Sequence, residues 1–226
     1  MSLRLVIANK NYSSWSMRPW VLLTQAGIAF EEVQLKFDDD NRVGGIEQWS
    51  PTRRVPVLWM DGEPVWDSLA ICESVAEAWP DRQLWPADVQ ARRHARAVSA
   101  EMHAGFLDLR RHMPMNLRAM HPGKGRDPGV LRDIERIVTI WESCRNRHGA
   151  DGELLFGRFS VADAMFAPVV TRFRTYAVEL PSVAQRYADA VLALPAVRQW
   201  IAGALAETEF VPADEPYATC WRQPPS

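Results

Sequence analysis

The chain has 226 residues, of which 47% are hydrophobic and 24% charged, and its formal net charge is -2. This composition is typical of a globular protein and excludes disordered chains, collagen and coiled-coil rods. Because 26 basic residues balance 28 acidic ones, the chain has no long-range positive field, which argues against nucleic acid as a partner.

Neither a targeting segment nor a membrane span is predicted. The run from Met1 to Ala8 has no small-residue cleavage site, and no apolar stretch reaches the about 18 residues that cross a bilayer. The spacings of the cysteines Cys72, Cys144 and Cys220 suit neither a disulfide framework nor a zinc site. We therefore expect a cytoplasmic protein with no membrane partner and no metal.

The first part of the chain, residues 1–80, predicts a small α/β unit. Leu3 to Ala8 is an unbroken apolar run, typical of a strand buried on both faces, and the polar loop Asn9 to Ser16 follows it. Pro19 is tolerated in the first turn of the helix expected next. The predicted elements are a strand over Leu3 to Ala8, a helix over Arg18 to Ala26, strands over Ala29 to Leu35, Val55 to Met60 and Pro64 to Trp66, and a helix over Asp67 to Trp79.

The second part of the chain has a different character. A linker is predicted over residues 81–86, because Pro80 precedes this segment and Pro86 ends it. It leads to an all-helical domain over residues 87–226. Apolar residues recur there every three or four positions. The predicted helices are Asp88 to about His112, Val130 to His148, Ser160 to about Tyr176, Pro181 to Leu192 and Ala196 to Glu207. The fold class is therefore α/β plus all-α.

Hydroxyl groups are concentrated in the loop N-Y-S-S-W-S-M-R-P-W, Asn11 to Trp20. The loop joins a buried strand to a helix N-terminus, the junction at which open α/β units place ligands. Unpaired backbone N–H groups and the helix dipole favour an anion there, such as a thiolate or a carboxylate. The alternative is that Ser14 or Ser16 merely caps the helix.

A proline precedes the strand in the motif R-R-V-P-V-L, Arg53 to Leu58. If the Val55-Pro56 bond were cis, the Val55 backbone would turn toward the cleft and could pair with an extended peptide ligand. Arg54 could meet a carboxylate.

A third motif, D-S-L-A-I-C-E, begins the helix after the hairpin. Ser68 at the helix start can offer its hydroxyl and N–H to a carboxylate, while Asp67 can hold an ammonium group. The alternative is a plain N-cap by Asp67. In the fourth motif, Ser160 and Asp163 form a capping box, for which we predict a structural role only.

In this order, the four motifs resemble the cytosolic glutathione S-transferase family, over nearly the whole chain. The resemblance implies a thioredoxin-like N-terminal domain and an all-helical C-terminal domain, with glutathione as co-substrate. It implies that Val55 pairs with the cysteinyl part of glutathione beside a cis Pro56, that Ser68 takes the γ-glutamyl carboxylate, and that Asp67 contacts its ammonium. Arg54 is a further implied contact.

Within the loop, Ser-Ser-Trp-Ser-Met-Arg resembles the Ser-Ser-Cys-x-x-Arg stretch of the zeta class, a serine-type motif of the kind expected in a bacterial member. This alignment implies that Ser13 is the catalytic hydroxyl. Because Trp15 stands where the zeta class has cysteine, Ser14, Ser16 and Tyr12 remain alternatives.

Three functions follow from the resemblance. The first is a detoxifying transferase that adds glutathione to small hydrophobic electrophiles. The second is a zeta-like cis-trans isomerase of the maleylacetoacetate type, and the third is a glutathione-binding module without turnover. The resemblance also implies a homodimer. The electrophile is expected between the domains, near the end of the long helix, where the candidate residues are Phe106, Arg110, Met113, Met115 and Asn116.

Overall fold

A computed structural model describes residues 2–218 of the chain. Four strands form one mixed sheet in the order β2-β1-β3-β4. Strand β1 pairs in parallel with β2 and antiparallel with β3, and β3 and β4 form an antiparallel hairpin. The strands are β1 Leu3–Ile7, β2 Glu31–Gln34, β3 Val57–Met60 and β4 Glu63–Val65. Cys220, considered in the sequence analysis, lies outside the described residues.

Eight α-helices lie in residues 2–218, one between the first two strands and seven after the last strand. The helices are α1 Ser14–Gln25, α2 Ser68–Ala78, α3 Val89–Ala104, α4 Leu107–His112, α5 Pro128–His148, α6 Val161–Thr175, α7 Ser182–Ala193 and α8 Pro195–Leu205. The order β-α-β-β-β-α followed by helices confirms the predicted fold class. Among these residues, no helix is both long and apolar enough to span a bilayer.

Helix α6 is the centre of the molecule. Nearly every residue of α6 is buried, and α6 packs against α1, α3 and α7. Strand β1 is equally enclosed, since Leu5, Val6 and Ile7 are all 0% exposed although they point to alternate faces. The prediction of a doubly buried first strand is confirmed. Because α1 lies between the sheet and α6, its N-terminus lies where the two halves of the chain meet.

Helix α1 begins at Ser14, four residues before the predicted start at Arg18. Ser13 is its N-cap, and its side-chain oxygen accepts the Ser16 N–H at 3.4 Å. Pro19 therefore lies inside the helix and not in its first turn. A proline at this position removes one backbone hydrogen bond, which the burial of the flanking helix residues offsets.

The prediction of one long helix from Asp88 to His112 is wrong. The chain breaks between α3 and α4, where Phe106 adopts a left-handed φ of 62°. A Cβ added to Gly105 would lie 2.9 Å from the Glu101 carbonyl oxygen, so glycine suits the end of α3. The break leaves the carbonyls of Met102 and Gly105 free of helical partners, and the Arg110 side chain donates to both.

The predicted linker is more ordered than its prolines indicated. Residues Pro80–Arg82 form a 3₁₀ turn, and Leu84 and Trp85 are buried. The Leu84 carbonyl accepts the N–H of Val161, the first residue of α6, at 2.9 Å. The division into residues 1–80, 81–86 and 87–226 stays a prediction.

The capping box of α6 is confirmed. Asp163 accepts the Ser160 N–H at 2.9 Å, and its other oxygen accepts the Leu155 N–H at 3.0 Å. Asp163 is 0% exposed, and this burial raises its pKa to about 6. Its carboxylate therefore anchors the chain segment that leads into the central helix.

Asp163→Asn tests the cost of this burial. A carboxyl whose pKa is raised from 3.8 to about 6 in the folded protein stabilises it below pH 4, and that contribution is lost as the pH rises through 6. Relative to the variant, the wild-type free energy of unfolding should fall by about 2 to 3 kcal/mol between pH 4 and pH 7 in urea titrations. Asp189→Asn, at an exposed site, is the control and should show no such change. If the free energies of unfolding of wild type and Asp163→Asn changed by the same amount between pH 4 and pH 7, the raised pKa of Asp163 would be contradicted.

Candidate functional site

The loop before α1 is held by a buried polar network that the sequence analysis missed. The Asn11 side chain accepts the N–H groups of Leu117 and Arg118 at 2.8 and 3.0 Å, and it donates to the Asn116 side chain at 3.0 Å. The Glu207 carboxylate accepts the backbone N–H of Asn11 at 2.9 Å. The helical half of the chain therefore fixes the conformation of the serine loop.

The three loop serines have different surroundings. Ser13 donates its hydroxyl to Ser16 at 2.7 Å, and Ser14 accepts a hydrogen bond from Arg172 Nη2 at 3.1 Å. Ser13 and Ser14 line a cavity of about 610 Å³ at the start of α1. Ser16 is fully buried beneath them and accepts the Ala8 N–H at 3.3 Å. Two hydroxyls, and not three, are therefore placed at the cavity wall.

The Tyr12 hydroxyl is occupied by other protein groups. It donates to Glu215 at 2.8 Å and accepts from Arg118 Nη2 at 2.8 Å. Burial, reinforced by the Glu215 carboxylate, raises the Tyr12 pKa to about 12. The ring lines the cavity, but the phenol is a poor donor for a ligand.

The five residues predicted to contact the tripeptide come together. They are Arg54, Val55, Pro56, Asp67 and Ser68, and all five line one cavity of about 600 Å³. This cavity adjoins the one at the serines, because Trp15, Arg54 and Val55 line both. The Val55-Pro56 peptide bond is cis. A larger cavity of about 720 Å³ lies against residues 81–88 and contains none of the five.

Asp67 and Ser68 stand at the N-terminus of α2. Asp67 is the N-cap and accepts the Leu69 N–H at 3.3 Å, so the plain capping role is present. Its other oxygen lies 3.1 Å from His103 Nε2. Burial lowers the His103 pKa, which favours the neutral imidazole and leaves the charge of Asp67 unneutralised by this partner.

Three arginine side chains converge on the same region. Arg18 from α1 and Arg110 from α4 lie against Trp15, with guanidinium carbons 4.3 and 4.7 Å from its ring centroid. Arg172 from α6 reaches Ser14 and also donates to the Met113 carbonyl at 2.9 Å. Among residues 2–218, no carboxylate forms an ion pair with any of the three.

Burial and mutual repulsion destabilise these cations. Burial lowers the pKa of Arg172 to about 9 and that of Arg110 to about 10. Burial, together with repulsion from both, lowers the pKa of Arg18, which is 0% exposed. In the described chain, Arg18 Nε and Nη2 and Arg110 Nη1 have no hydrogen-bond partner. The site therefore combines buried positive charge with free N–H groups, as an anion-binding site requires.

The residues expected near the electrophile divide into two groups. Arg110 and Met115 line the 610 Å³ cavity. Phe106, Met113 and Asn116 are buried elsewhere in the structure and do not line it. The cavity also includes Asp214, from the segment after α8, and no sequence motif marks this residue.

The two cysteine side chains of the described residues are enclosed by the fold. Cys72 and Cys144 are free and buried, and burial raises the pKa of each to about 12. No group of three His, Cys, Asp or Glu side chains in residues 2–218 is arranged to hold a metal ion.

Comparison with known families identifies both halves of the chain. Residues 12–78 match the glutathione S-transferase N-terminal domain, and residues 91–203 match the glutathione S-transferase C-terminal domain. The chain belongs to the glutathione S-transferase family. The resemblance inferred from its motifs is thereby confirmed.

Individual relatives of this glutathione S-transferase include maleylacetoacetate isomerases. The chain is 33% identical over 179 residues to maleylacetoacetate isomerase of Mus musculus, covering 74% of this chain and 77% of that relative. It is 31% identical over 97 residues to a probable maleylacetoacetate isomerase of Caenorhabditis elegans, covering 43% of this chain and 45% of that relative. The chain thus spans about half the length of the nematode protein.

The fold is shared with solved structures. A Burkholderia glutathione transferase homolog, crystallised with bound glutathione, matches with a TM-score of 0.70 and 23% identity. The match covers 90% of this chain and 98% of that one. A thioredoxin-like N-terminal domain followed by a helical C-terminal domain is therefore confirmed.

The unpaired charge of Arg18 predicts a stability effect in this glutathione S-transferase. Replacing a buried, uncompensated cation by an apolar side chain of similar size is often stabilising, so Arg18→Met should raise the free energy of unfolding by about 1 to 4 kcal/mol in urea titrations without ligand. Arg172→Met is the matched comparison. Because Arg172 donates to the Met113 carbonyl and to Ser14, its removal should lower stability by about 1 to 3 kcal/mol. Equal losses for both variants would contradict this account.

Proposed function

We propose that this protein binds glutathione across the two adjoining cavities and activates its thiol for attack on small hydrophobic electrophiles. One observation carries the proposal. The five residues implied for the tripeptide line one cavity, and Ser13 and Ser14 line the next, with Val55 in the wall of both. The bound glutathione of the Burkholderia homolog supports the choice of ligand.

The tripeptide is assigned by its charges. Ser68 suits the γ-glutamyl carboxylate, because Arg18 Nη1 donates to the Ser68 oxygen at 3.4 Å from behind the cavity wall and leaves the serine proton available to the ligand. Asp67 suits the ammonium group. The backbone of Val55 pairs with the cysteinyl part, and Arg54 contacts the chain between the two cavities. This arrangement directs the thiol toward the start of α1.

The activating hydroxyl is assigned to Ser13, with Ser14 as the alternative. Ser13 lines the cavity and caps α1, so it stands at the positive end of the helix dipole. Its hydroxyl donates to Ser16 in this structure and must turn from Ser16 to the thiolate to activate it. Ser14 has a different advantage, because Arg172 donates to its oxygen and leaves its own proton free for a thiolate. Ser16 does not suit the role because it is fully buried. Tyr12 does not suit it because its hydroxyl is hydrogen-bonded to Glu215 and Arg118.

The chemistry requires a thiolate. A free thiol has a pKa of about 8.5, so only a few per cent is ionised at neutral pH. Lowering that pKa by about two units corresponds to roughly 2.7 kcal/mol of preference for the anion. A serine donor, the α1 dipole and the field of Arg172 together supply effects of this size. The thiolate then attacks the electrophilic carbon, the leaving group departs with its electron pair, and the thiol proton passes to solvent.

Ultraviolet difference titration of bound glutathione tests the hydroxyl. In wild type we expect a thiol pKa well below that of free glutathione, and Ser13→Ala should return it by about two units while glutathione affinity is kept. Ser13→Thr is the control, because it retains both the hydroxyl and the N-cap.

Each other outcome has a definite meaning. If the pKa of the bound thiol stays at its wild-type value in Ser13→Ala but returns to that of free glutathione in Ser14→Ala, Ser14 is the activating hydroxyl. A wild-type pKa equal to that of free glutathione contradicts the transferase and favours the binding module without turnover.

A second candidate function is a zeta-like isomerase of the maleylacetoacetate type. The observation that favours it is the pair Arg110 and Arg172 in the wall of the 610 Å³ cavity, because guanidinium groups there suit an electrophile that carries carboxylates. The relatives named maleylacetoacetate isomerase are consistent with it. In this reaction the thiolate adds to a cis double bond, the single bond rotates, and the same thiolate leaves.

Maleylacetoacetate distinguishes the two functions. The isomerase converts cis to trans substrate with no net consumption of glutathione, whereas the transferase consumes one glutathione per turnover. In the isomerase, Arg110→Met should raise KM about tenfold or more, because a charge-assisted hydrogen bond to a carboxylate is worth about 1.5 to 3 kcal/mol. Arg110→Lys keeps the charge and should retain part of the affinity that Arg110→Met loses. No conversion by wild type would contradict the isomerase.

The location and the oligomeric state of the protein are proposed from its family. We expect cytoplasmic localisation and a homodimer, both implied by the family. Sedimentation of the purified chain tests the second expectation.

A further inference from the structure

One carboxyl group of the C-terminal segment lines the same cavity as the Ser13 and Ser14 side chains. Asp214 ends a 3₁₀ turn, Pro212–Asp214, and its half-buried side chain lines the 610 Å³ cavity together with Ser13, Ser14 and Arg172. Among residues 2–218, the charges of Arg172 and Glu215 act on this carboxylate, and no hydrogen bond to it is present. Asp214 is therefore an acid in the wall of the proposed reaction cavity that no structural hydrogen bond occupies.

The segment that carries Asp214 is fixed on both sides. Before it, Val211 is 1% exposed. After it, Glu215 accepts the Tyr12 hydroxyl at 2.8 Å, and the Tyr217 hydroxyl donates to the His112 carbonyl at 2.7 Å. These contacts tie the segment to the serine loop and to α4, so the position of Asp214 in the cavity is determined by the fold.

Arg172 connects Asp214 with the serines. It donates to Ser14 at 3.1 Å, lines the cavity with Asp214 and attracts the Asp214 carboxylate, so one guanidinium group acts on both the acid and the serines. Glu215 is the neighbouring charge on the same segment. The other charged groups in the cavity wall are Arg42, Glu47, Arg53, Arg54 and Arg110.

We propose that Asp214 is a catalytic general acid that protonates the carbonyl oxygen of an α,β-unsaturated carbonyl electrophile as the glutathione thiolate adds to it. This inference rests on the proposed function, which supplies the thiolate. The sulfur–carbon bond forms at the β-carbon, the π pair of the carbon–carbon double bond becomes the double bond of the enol, and the carbonyl π pair moves to the oxygen, which takes the proton of Asp214. The charge of Arg172 stabilises the resulting carboxylate. The α-carbon then takes a proton from solvent while the enol oxygen returns its proton to Asp214, which yields the ketone adduct and regenerates the acid.

The protonation state of Asp214 suits this role. Burial raises its pKa to about 6, with Arg172 acting to lower the value and Glu215 to raise it. About half of the molecules therefore carry the proton at pH 6, so the group can both give and regain it near neutrality.

Asp214→Asn tests the proposal on two electrophiles. With an α,β-unsaturated ketone, kcat/KM should fall about 100-fold, the lower end of what general acid catalysis contributes. With 1-chloro-2,4-dinitrobenzene, which forms no enolate and loses chloride, it should change less than about threefold. The pH profile gives an independent readout, because the fall in the wild-type ketone rate above pH 6 should disappear in the variant.

Two further variants make the result decisive. Asp214→Glu keeps an acid and should recover part of the ketone activity, whereas Asp189→Asn removes an exposed carboxylate of α7 that does not line the cavity and should leave both activities unchanged. Equal effects of Asp214→Asn on both electrophiles, or an unchanged pH profile, would overturn the proposal while the transferase stands. Inactivity of wild type toward both electrophiles would instead contradict the proposed function itself.

Discussion

Buried positive charge that the protein does not neutralise governs the design of this site. Arg18 is completely enclosed, and its guanidinium meets an aromatic face and one serine hydroxyl instead of a carboxylate. Arg110 and Arg172 add to the field from two other helices. A buried charge of this kind costs free energy unless a partner arrives. The unpaired charges therefore lower the stability of the fold, and they make the cavity complementary to an anion before any ligand binds.

The same charges also explain why the site stands between the two halves of the chain. Trp15, in the first turn of α1, lies between Arg18 from its own helix and Arg110 from α4. Arg172 from α6 reaches Ser14, and the Asn11 side chain accepts backbone N–H groups from the helical half. The loop that presents the hydroxyls is thus positioned by residues more than 90 positions away in the sequence. A thioredoxin-like domain without its helical partner would lack both the field and the geometry.

Local sequence patterns predicted the fold well and failed where two patterns conflict. The doubly buried strand and the capping box of Asp163 follow from apolar runs and cap residues, and the structure contains both. The early start of α1 was missed because Pro19 favoured a first-turn position, while burial of the whole helix outweighs the one lost hydrogen bond. The break after α3 was missed because the apolar stripe continues through Phe106. Gly105 was the signal that could have revealed it.

The candidate tripeptide residues could be named from motifs because each motif lies within a few consecutive residues. The arginine cluster could not, since its members come from α1, α4 and α6 and no spacing in the sequence links them. Overall charge hides the cluster as well. A chain with 26 basic and 28 acidic residues has almost no net field, yet three cations without a bonded carboxylate create a strong local one. A low local dielectric strengthens the field of these arginines. The position of the three cations, and not the net charge of the chain, therefore selects an anionic ligand.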